Sequence, residues 1–481
     1  MRRVTALSLA AAGLLVCAPV AGARVLLVGR YHGIRGQFKT IQGAVDAAKP
    51  GDWVLVGPWD HKTTSFRAPS GKSDTPAGVL ITKAHLRLRG MNRNTVIVDG
   101  TKSGPACSRA KADQNFGPSS STGPLGANGI MPWKANGVWV QNLTACNFLG
   151  GAGTAGNEVW WNGGDESGQI GGYNFLGSYL NTTSTYYQDE TTAAKYGIFS
   201  SNWSGGTWNN TYASNFNDSG YYIGACQQVC NQTVIKAWGE FSALSYSGSN
   251  SGGQLVIRNS QFDNNEDGFD TNSQNGDNPP PQNGACPNDG ISPITHTHSC
   301  WVFMNNYVHD NNNPNVPSAG LAGGGPVGTG MSLSGARNDT VMNNRFVNNR
   351  AWGTIIVPFP DSGPPCTGGT SGPGGQPACV YDPWGDAILN NTYTNNGGYK
   401  NPTNGDIALT NTEPGPTNCF AGNVDTGGAL TTAPSNAEQM YPDCNGQTVP
   451  PSDTNPQSAQ FTEEVACDST LYLPLAGKAP C

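Results

Sequence analysis

The densest group of side chains that could do chemistry is the acidic run Asn264-Asn-Glu266-Asp267-Gly-Phe-Asp270. It lies where a bend passes into a strand, so at least two of its carboxylates are expected to point to one outer face. Glu240 precedes the run by about one coil of the repeat described below. Converging carboxylates repel one another unless a cation is present, and hard oxygen ligands suit Ca²⁺. The sequence therefore predicts a calcium site at Glu240, Glu266, Asp267 and Asp270, with a solvated acidic bend as the alternative.

The same carboxylates allow a second chemistry. An inverting glycoside hydrolase needs only two suitably spaced carboxylates, so a pair drawn from Glu240, Asp267 and Asp270 is a second candidate. The sequence contains no P-loop, dinucleotide fingerprint or Gly-x-Ser-x-Gly nucleophile elbow. A formal net charge of −7 disfavours binding to nucleic acid.

Paired aromatic residues indicate a sugar ligand. On any strand one ring of each pair points outward, where it can stack on the apolar face of a sugar, and the alternative is that the rings fill the core. The pairs are Trp160-Trp161, Tyr186-Tyr187 and Tyr221-Tyr222. An acidic protein repels a polyuronate, so binding one requires bridging cations. The predicted calcium site and the predicted acidic polysaccharide are therefore parts of one hypothesis.

The elements that position these residues are indicated by a repeated pattern of Asn, an aromatic or apolar residue, and Asn again. It occurs in Asn142–Asn147, Asn209–Asn215, Asn259–Asn265, Asn305–Asn311, Asn343–Asn349 and Asn390–Asn396. Asn suits tight bends because it tolerates left-handed backbone, and stacked Asn side chains can bond to one another along an axis. The pattern predicts a solenoid of short strands. A β-sandwich, the alternative, does not explain Asn at recurring positions.

Composition agrees with an all-β fold. With 65 Gly, 34 Pro, 36% hydrophobic and 12% charged residues, helix-rich domains are unlikely, and 12 Trp, 16 Tyr and 15 Phe argue against disorder. One clear helix is expected, because Phe38, Ile41, Val45 and Ala48 share a helical face before Pro50. We expect this helix to cover the open end of the solenoid.

The N-terminus resembles a secretory signal peptide over residues 1–23. Arg2 and Arg3 precede an apolar run that is too short to span a bilayer, and Ala21-Gly22-Ala23 follows it. The sequence therefore predicts secretion without a membrane anchor. Removing Cys17 leaves an even number of the 13 Cys, which indicates disulfides in an oxidising compartment. The simplest pairs are Cys107–Cys146, Cys226–Cys230, Cys286–Cys300, Cys366–Cys379, Cys419–Cys444 and Cys467–Cys481.

Residues 24–425 are predicted to form the solenoid domain, and residues 426–481 a disulfide-stapled C-terminal cover. Three long inserts, at 101–127, 272–300 and 361–380, interrupt the repeat and are expected to wall a cleft.

The run from Phe38 to Asp52, followed by the Asn-rich coils, resembles right-handed parallel β-helix proteins of the pectate-lyase-like superfamily. The acidic residues resemble the calcium site of family nine polysaccharide lyases, in which an upstream acid precedes two adjacent acids and a third three residues later. Carried over, these positions are Glu240, Glu266, Asp267 and Asp270, with Glu replacing Asp at two of them.

The same family takes its Brønsted base from a Lys in a Gly-x-Lys-Leu-Gly context. Here Gly330-Met-Ser332-Leu-Ser-Gly335 places Ser332 at that position. The candidates for a substitute base are Arg337, Lys236 or a histidine of His296-Thr-His298. The alternative is that Arg337 and Lys236 are ordinary surface charges.

The sequence thus predicts a secreted, monomeric right-handed parallel β-helix that acts on extracellular polysaccharide. The resemblance implies calcium-assisted lyase cleavage of a uronate polymer. A glycoside hydrolase and a non-catalytic carbohydrate-binding protein are the alternatives.

Overall fold

The computed structural model describes residues 22–164, 169–187, 189, 191–224, 226, 230–273, 301–320, 322–362, 369–371, 378–412, 415–441 and 448–449. Within these ranges there are two α-helices, Ile41–Ala47 and Ala437–Met440, and two 3₁₀ turns, Lys111–Asp113 and Ala322–Gly324. No helix in these ranges is long and apolar enough to cross a membrane.

Two large sheets make up most of the structure. The first, here called the eleven-stranded sheet, takes one strand from each coil, and all of its pairings are parallel. In chain order its strands are Ala77–Ile81, Asn128–Pro132, Asn157–Asn162, Tyr196–Ser201, Ser219–Gly224, Leu244–Ser249, Asp267–Asn272, Thr329–Ser334, Trp352–Val357, Gly405–Leu409 and Thr432–Ala433.

The second, here called the nineteen-stranded sheet, is also parallel, and it bends along its length. Its strands are Val25–Val28, Trp53–Val56, Trp59–Lys62, Arg87–Gly90, Val96–Asp99, Val138–Cys146, Phe175–Thr183, Gly206–Ser214, Gln232–Glu240, Leu255–Arg258, Gln261–Asp263, Trp301–Met304, Tyr307–His309, Thr340–Met342, Arg345–Val347, Ala387–Leu389, Thr392–Thr394, Cys419–Ala421 and Val424–Asp425.

Short strands outside the two sheets form small ribbons in the connections. They are Arg30–Tyr31, Ile34–Arg35, Ser119–Ser120, Gly123–Pro124, Gly172–Tyr173, Trp203–Ser204, Phe359–Ser362, Thr370–Ser371, Ala378–Tyr381, Gly415–Pro416 and Thr448–Val449.

The chain alternates between the two sheets, so it winds as a right-handed parallel β-helix, which confirms the predicted fold class. Each coil adds one strand to the eleven-stranded sheet and one bent strand, or two short ones, to the other. The interior is filled by one continuous cluster of buried apolar side chains that runs from Leu26 to Ala437. A coil buries its apolar face only against its neighbours, so the stack is the unit of stability.

The bend in the nineteen-stranded sheet explains the repeated Asn. One residue per coil has a left-handed backbone there, and this column is occupied by Asn142, Tyr179, Asn210, Lys236, Asn259, Asn305, Asn343, Asn390 and Gly422. Asn and Gly adopt this conformation at little cost, which is why they recur. The prediction that Asn marks the bends is confirmed.

From the bend at Asn305 onward, the residue after the bend points inward and bonds to its counterpart in the next coil. Asn306 Nδ2 donates to Asn344 Oδ1 at 3.2 Å, Asn344 Nδ2 to Asn391 Oδ1 at 3.0 Å, and Asn391 Nδ2 to Asn423 Oδ1 at 3.0 Å. Glu438 accepts from Asn423 and ends this ladder. A second ladder joins Asn265, Asn311, Asn349 and Asn396. The expected stacking of Asn along the axis is therefore present.

One ladder uses carboxyl groups where the others use amides. The Asp339 backbone N–H donates to Asp386 Oδ1 at 3.0 Å, and that of Asp386 donates to Asn418 Oδ1 at 2.9 Å. Both Asp side chains are fully buried. Burial and the neighbouring carboxyl raise the pKa of Asp339 well above its usual range.

This pair predicts a loss of stability with rising pH. An Asp with a raised folded-state pKa holds its proton in the native state after the unfolded chain has lost it, above about pH 4, so the free energy of unfolding falls as pH rises through that window. We expect Asp339→Asn, which supplies the amide donor of the other ladders, to raise the free energy of unfolding at pH 8 and to flatten its pH dependence. Denaturant titrations between pH 4 and pH 9 test this. Asp46→Asn removes an exposed carboxylate and should leave the slope unchanged; an equal effect of both variants would contradict the account.

The predicted capping helix is confirmed as Ile41–Ala47, with Thr40 Oγ1 accepting from the Gly43 N–H at 3.1 Å. Its residues Ile41 and Val45 join the core beneath it.

Disulfides Cys107–Cys146 and Cys226–Cys230 are formed as predicted. The other predicted pairs, most of the signal peptide and most of the C-terminal cover involve residues outside the described ranges. Thr432–Ala433 still pairs with the strand at Ile407, so coil stacking continues past residue 425.

Candidate active site

A row of outward side chains crosses the eleven-stranded sheet, one from each successive coil. The register places Trp160 beside Phe199, Phe199 beside Tyr222, Tyr222 beside Ser247, and Ser247 beside Asp270. Adjacent strands lie about 4.8 Å apart, so the row spans about 19 Å along the axis. It places an aromatic surface at one end and a carboxylate at the other.

The aromatic end of this row is here called the aromatic trough, formed by Trp160, Tyr196, Phe199 and Tyr222. Trp160 and Phe199 are stacked with ring centroids 4.9 Å apart, and Tyr196 and Tyr222 are stacked at 4.8 Å. A cavity of about 270 Å³ opens over these rings. Trp161 and Tyr221 pack in the core, while Trp160 and Tyr222 lie on the outer side of the sheet, where Trp160 is buried and Tyr222 is partly exposed.

Asp270 lies at the polar end, half-buried on the strand Asp267–Asn272. Its Oδ1 accepts from Ser334 Oγ at 2.9 Å, and its Oδ2 accepts from Asn272 Nδ2 at 2.9 Å. Ser332, the residue beside Asp270 in the next strand, bonds to Ser334 Oγ at 3.0 Å. Burial raises the pKa of Asp270, and these donors oppose the shift by stabilising the ionised form.

A second half-buried carboxyl, Asp218, stands at the entry of the strand Ser219–Gly224, two coils from Asp270. Tyr196 of the aromatic trough donates its hydroxyl to Asp218 Oδ2 at 3.0 Å, and Ser219 Oγ donates to Oδ1 at 3.1 Å. Burial raises the pKa of Asp218 to about 6, Tyr196 and Ser219 oppose that rise, and the charge of Asp270 adds to it.

The charge of Asp270 therefore raises the pKa of Asp218, and the two carboxyl groups have different hydrogen-bonding partners. Asp218 is held as a weak acid near pH 6, whereas three polar side chains support the ionised form of Asp270. Two carboxyl groups in different environments on one face of a sheet are candidates for a general acid and a general base. Asp218 and Asp270 lie two coils apart along the axis, and Asp218 stands four residues before Tyr222, the residue of its strand that is in register with Asp270.

The other predicted acids of the run are more deeply placed. Glu266 is fully buried, and burial raises its pKa to about 9. Asp267 is also buried, its Oδ1 accepts from the Phe269 N–H at 3.1 Å, and burial raises its pKa well above the usual range. A Cβ at Gly325 would lie 3.9 Å from Asp267 Oδ2, so the connection around Gly325 packs against this carboxyl.

Glu240 lies one coil from the acidic run, as expected, but on the other sheet. It ends the strand Gln232–Glu240 and pairs in register with Asp263, while Asp267 and Asp270 pair with Leu244 and Ser247. Its Oε1 accepts from the Tyr212 hydroxyl at 2.7 Å. Within the described ranges, no group of three or more His, Cys, Asp and Glu side chains is arranged to hold a metal ion. Calcium at Glu240, Glu266, Asp267 and Asp270 stays a prediction.

The two predicted bases lie apart from the acids and from each other. Arg337 is fully buried, with its guanidinium 3.6 Å from the centroid of the Trp384 ring and its Nε donating to Asp382 O at 3.0 Å. Burial lowers the pKa of Arg337 to about 10, so it stays charged at neutral pH. Lys236 is exposed at a bend of the nineteen-stranded sheet. His296 and His298 lie outside the described residues.

Sequence analysis missed Asp218, although a signal for it was present. Gly220 and Gly268 begin equivalent strands of the repeat, and aligning them places Asp218 at the position of Glu266. Tyr196, which donates to Asp218, could not be found in this way. It reaches Asp218 only because the strands Tyr196–Ser201 and Ser219–Gly224 pair in the folded protein.

No protein-family model matches the chain, and no curated protein sequence matches it. Solved structures with a similar fold include the A-module of the mannuronan C-5 epimerase AlgE4 from Azotobacter vinelandii, at 12% identity and a TM-score of 0.44, covering 82% of this chain and 91% of that one. An alginate lyase from Paenibacillus sp. is similar at 10% identity and a TM-score of 0.39, covering 85% of this chain and 97% of that one. The catalytic domain of an α-1,3-glucanase is similar at 11% identity and a TM-score of 0.38, covering 85% of this chain and 56% of that one.

Proposed function

We propose that the protein is a secreted glycoside hydrolase that cleaves an extracellular polysaccharide on the outer face of the eleven-stranded sheet. The observation that carries the proposal is the placement of Asp218 against Tyr196 of the aromatic trough and of Asp270 two coils further along the same sheet, each with a raised pKa. The Tyr196 hydroxyl, which belongs to the trough and donates to Asp218, joins the sugar-binding surface to the acid.

In this mechanism the two carboxyl groups move two protons. Protonated Asp218 gives its proton to the glycosidic oxygen as the bond from that oxygen to the anomeric carbon breaks. Ionised Asp270 takes a proton from the water that attacks the same carbon from the opposite face. The partly exposed rings of Tyr196 and Tyr222 contact the sugar chain, and the buried rings of Trp160 and Phe199 support them from below.

Among the described residues, the predicted lyase bases Arg337 and Lys236 lie away from Asp270, and this supports hydrolysis as the proposal. A uronate lyase needs a base beside the proton to be removed and a cation beside the uronate carboxylate. Arg337 is enclosed in the interior, and Lys236 stands on the other sheet, so neither is beside Asp270. The calcium-assisted lyase remains the rival proposal, and chelator sensitivity distinguishes the two.

The pKa of Asp218 predicts a pH profile. The acid must be protonated to act, so kcat/KM is expected to fall as pH rises through about 6. Tyr196→Phe removes a hydrogen bond that lowers this pKa, and the alkaline limb should therefore move to higher pH with activity retained. The profile is measured as reducing-sugar release from pH 4 to pH 9.

Tyr31→Phe is the matched control, because Tyr31 lies in the N-terminal ribbon Arg30–Tyr31, away from the trough. It should leave the profile in place. An alkaline limb that does not move in Tyr196→Phe would remove Asp218 from the role of acid.

A further inference from the structure

A second concave surface lies on the nineteen-stranded sheet, over its column of left-handed bends. It has a volume of about 540 Å³, and we call it the bend groove. Its principal side chains are Lys236, Trp238, Gln261, Asn305, Tyr307 and Arg345. The aromatic trough lies on the other sheet, so the two surfaces are distinct.

The backbone of one coil is unusual at this groove. Asn or Gly occupies every described bend of the column except Tyr179 and Lys236. Lys236 has φ +53°, and Phe241 in the same coil has φ +55°. Long or aromatic side chains are disfavoured in this region, and such outliers are kept where the surrounding structure or a function requires them.

The same coil also presents large side chains to solvent. Trp238 is 43% exposed and Phe241 is 38% exposed, while Lys236 lies exposed at the bend. Trp238 Nε1 donates to Asp263 Oδ1 at 2.8 Å, which fixes the orientation of its ring. A fixed, exposed indole on the same strand as an exposed lysine is suited to a sugar that carries an acid group.

A second aromatic ring and a second cation continue the groove. Tyr307 is stacked on His309 with ring centroids 3.9 Å apart, and the Arg345 guanidinium lies 4.6 Å from the centroid of the Tyr307 ring. Stacking uses the face of the guanidinium and leaves its N–H edge for a planar acceptor such as a carboxylate.

The nearby acids do not neutralise these cations by direct contact. Asp263 accepts from Trp238 and from Asn264 Nδ2, the latter at 2.6 Å, and Glu240 accepts from Tyr212. Asp263 and Glu240 are at least nine-tenths buried, whereas Lys236 and Arg345 are exposed. The groove thus presents one exposed indole ring and two cations, the second of which is stacked on Tyr307.

We propose that the bend groove is a non-catalytic binding site for a uronate-containing polysaccharide chain. A sugar face stacks on Trp238, and the uronate carboxylates pair with Lys236 and with Arg345, which Tyr307 holds in place. The site would hold the protein on an acidic polymer independently of the reaction at Asp218 and Asp270, and it gives Lys236 a role as a ligand contact in place of the predicted base.

The test measures binding of oligogalacturonate, oligoalginate and a neutral β-glucan oligosaccharide by calorimetry. The full chain carries Asp270→Asn in all samples, so that no probe is cleaved. Lys236→Asn restores the usual residue of the bend and is expected to fold with an unchanged or higher Tm. Lys400→Asn is the matched control, because Lys400 is also an exposed Lys with a positive φ, of +67°.

We expect Lys236→Asn and Arg345→Gln each to weaken binding of at least one uronate probe by about tenfold, with Lys400→Asn unchanged. Trp238→Ala should weaken it as well, and added salt should reduce the difference between Lys236→Asn and the parent. Equal affinities of the Lys236→Asn and Lys400→Asn variants, equal binding of the neutral probe, or no binding of either uronate would each overturn the proposal. So would a dimer in sedimentation that Trp238→Ala dissociates, since the groove would then be an interface between copies.

Discussion

Asp270→Asn is expected to lower kcat for polysaccharide hydrolysis about a thousandfold, because an amide cannot take the proton from the attacking water. KM should change little, since the aromatic trough and its stacking contacts are intact. The fold should also be intact: Asn fits the space of Asp, and its Oδ1 can still accept from Ser334. Initial rates of reducing-sugar release, with the Tm of each variant, measure this.

Asp46→Asn provides the matched control, because Asp46 is an exposed carboxylate that pairs with Arg67 on the capping helix. Its rates should equal those of the parent protein. A folded Asp270→Asn variant that keeps more than a tenth of the parent rate would exclude Asp270 as the base.

Asn344→Leu is expected to lower the free energy of unfolding by at least about 3 kcal/mol, since it leaves several buried polar groups without partners. Asn344 Nδ2 donates to Phe303 O and Asn391 Oδ1, and its Oδ1 accepts from the N–H and Nδ2 of Asn306. Leu matches the size of Asn but replaces none of these bonds. Chemical denaturation measures the loss, and a variant that is insoluble at growth temperature is the extreme of the same result.

The neighbouring Asn390→Gly is the control, because Asn390 occupies the left-handed bend with φ +54°, a conformation that Gly adopts freely. A cost below about 1 kcal/mol is expected there. An equal loss of unfolding free energy in both variants would contradict the claim that the hydrogen bonds of the inward amides stabilise the stack.

Most of the fold could be predicted from local patterns in the sequence. The spacing Asn259-Ser-Gln-Phe262-Asp-Asn264-Asn265 encodes a left-handed bend, an inward polar residue, a core ring, a second bend and a ladder amide in one stretch. Each choice is dictated by backbone conformation and burial at that position, so it is visible without knowledge of the rest of the chain. The capping helix was predictable for the same reason. Cys226–Cys230 was predicted from its short sequence separation, and Cys107–Cys146 as the pair left over.

The site was harder to predict, because it depends on which sheet a residue joins. Glu240 and Asp270 are one coil apart in sequence terms, yet the bend at Phe241 and the turn to Leu244 separate their sheets. Whether Arg337 is a surface charge or a buried cation depends on Trp384 and Asp382, which arrive from the next coil. Asp218 gains its raised pKa from packing and from Asp270 two coils away, and no local pattern records either.

The most direct test of the account follows products from a panel of neutral and acidic polysaccharides, by reducing-sugar assay and by ultraviolet absorbance, with calcium and with chelator. The account predicts that the parent protein releases reducing ends from at least one polymer, without an absorbance rise and without loss in chelator, and that Asp270→Asn releases none. An absorbance rise would show the unsaturated uronate that β-elimination makes, and its loss in chelator would establish the calcium-assisted lyase instead.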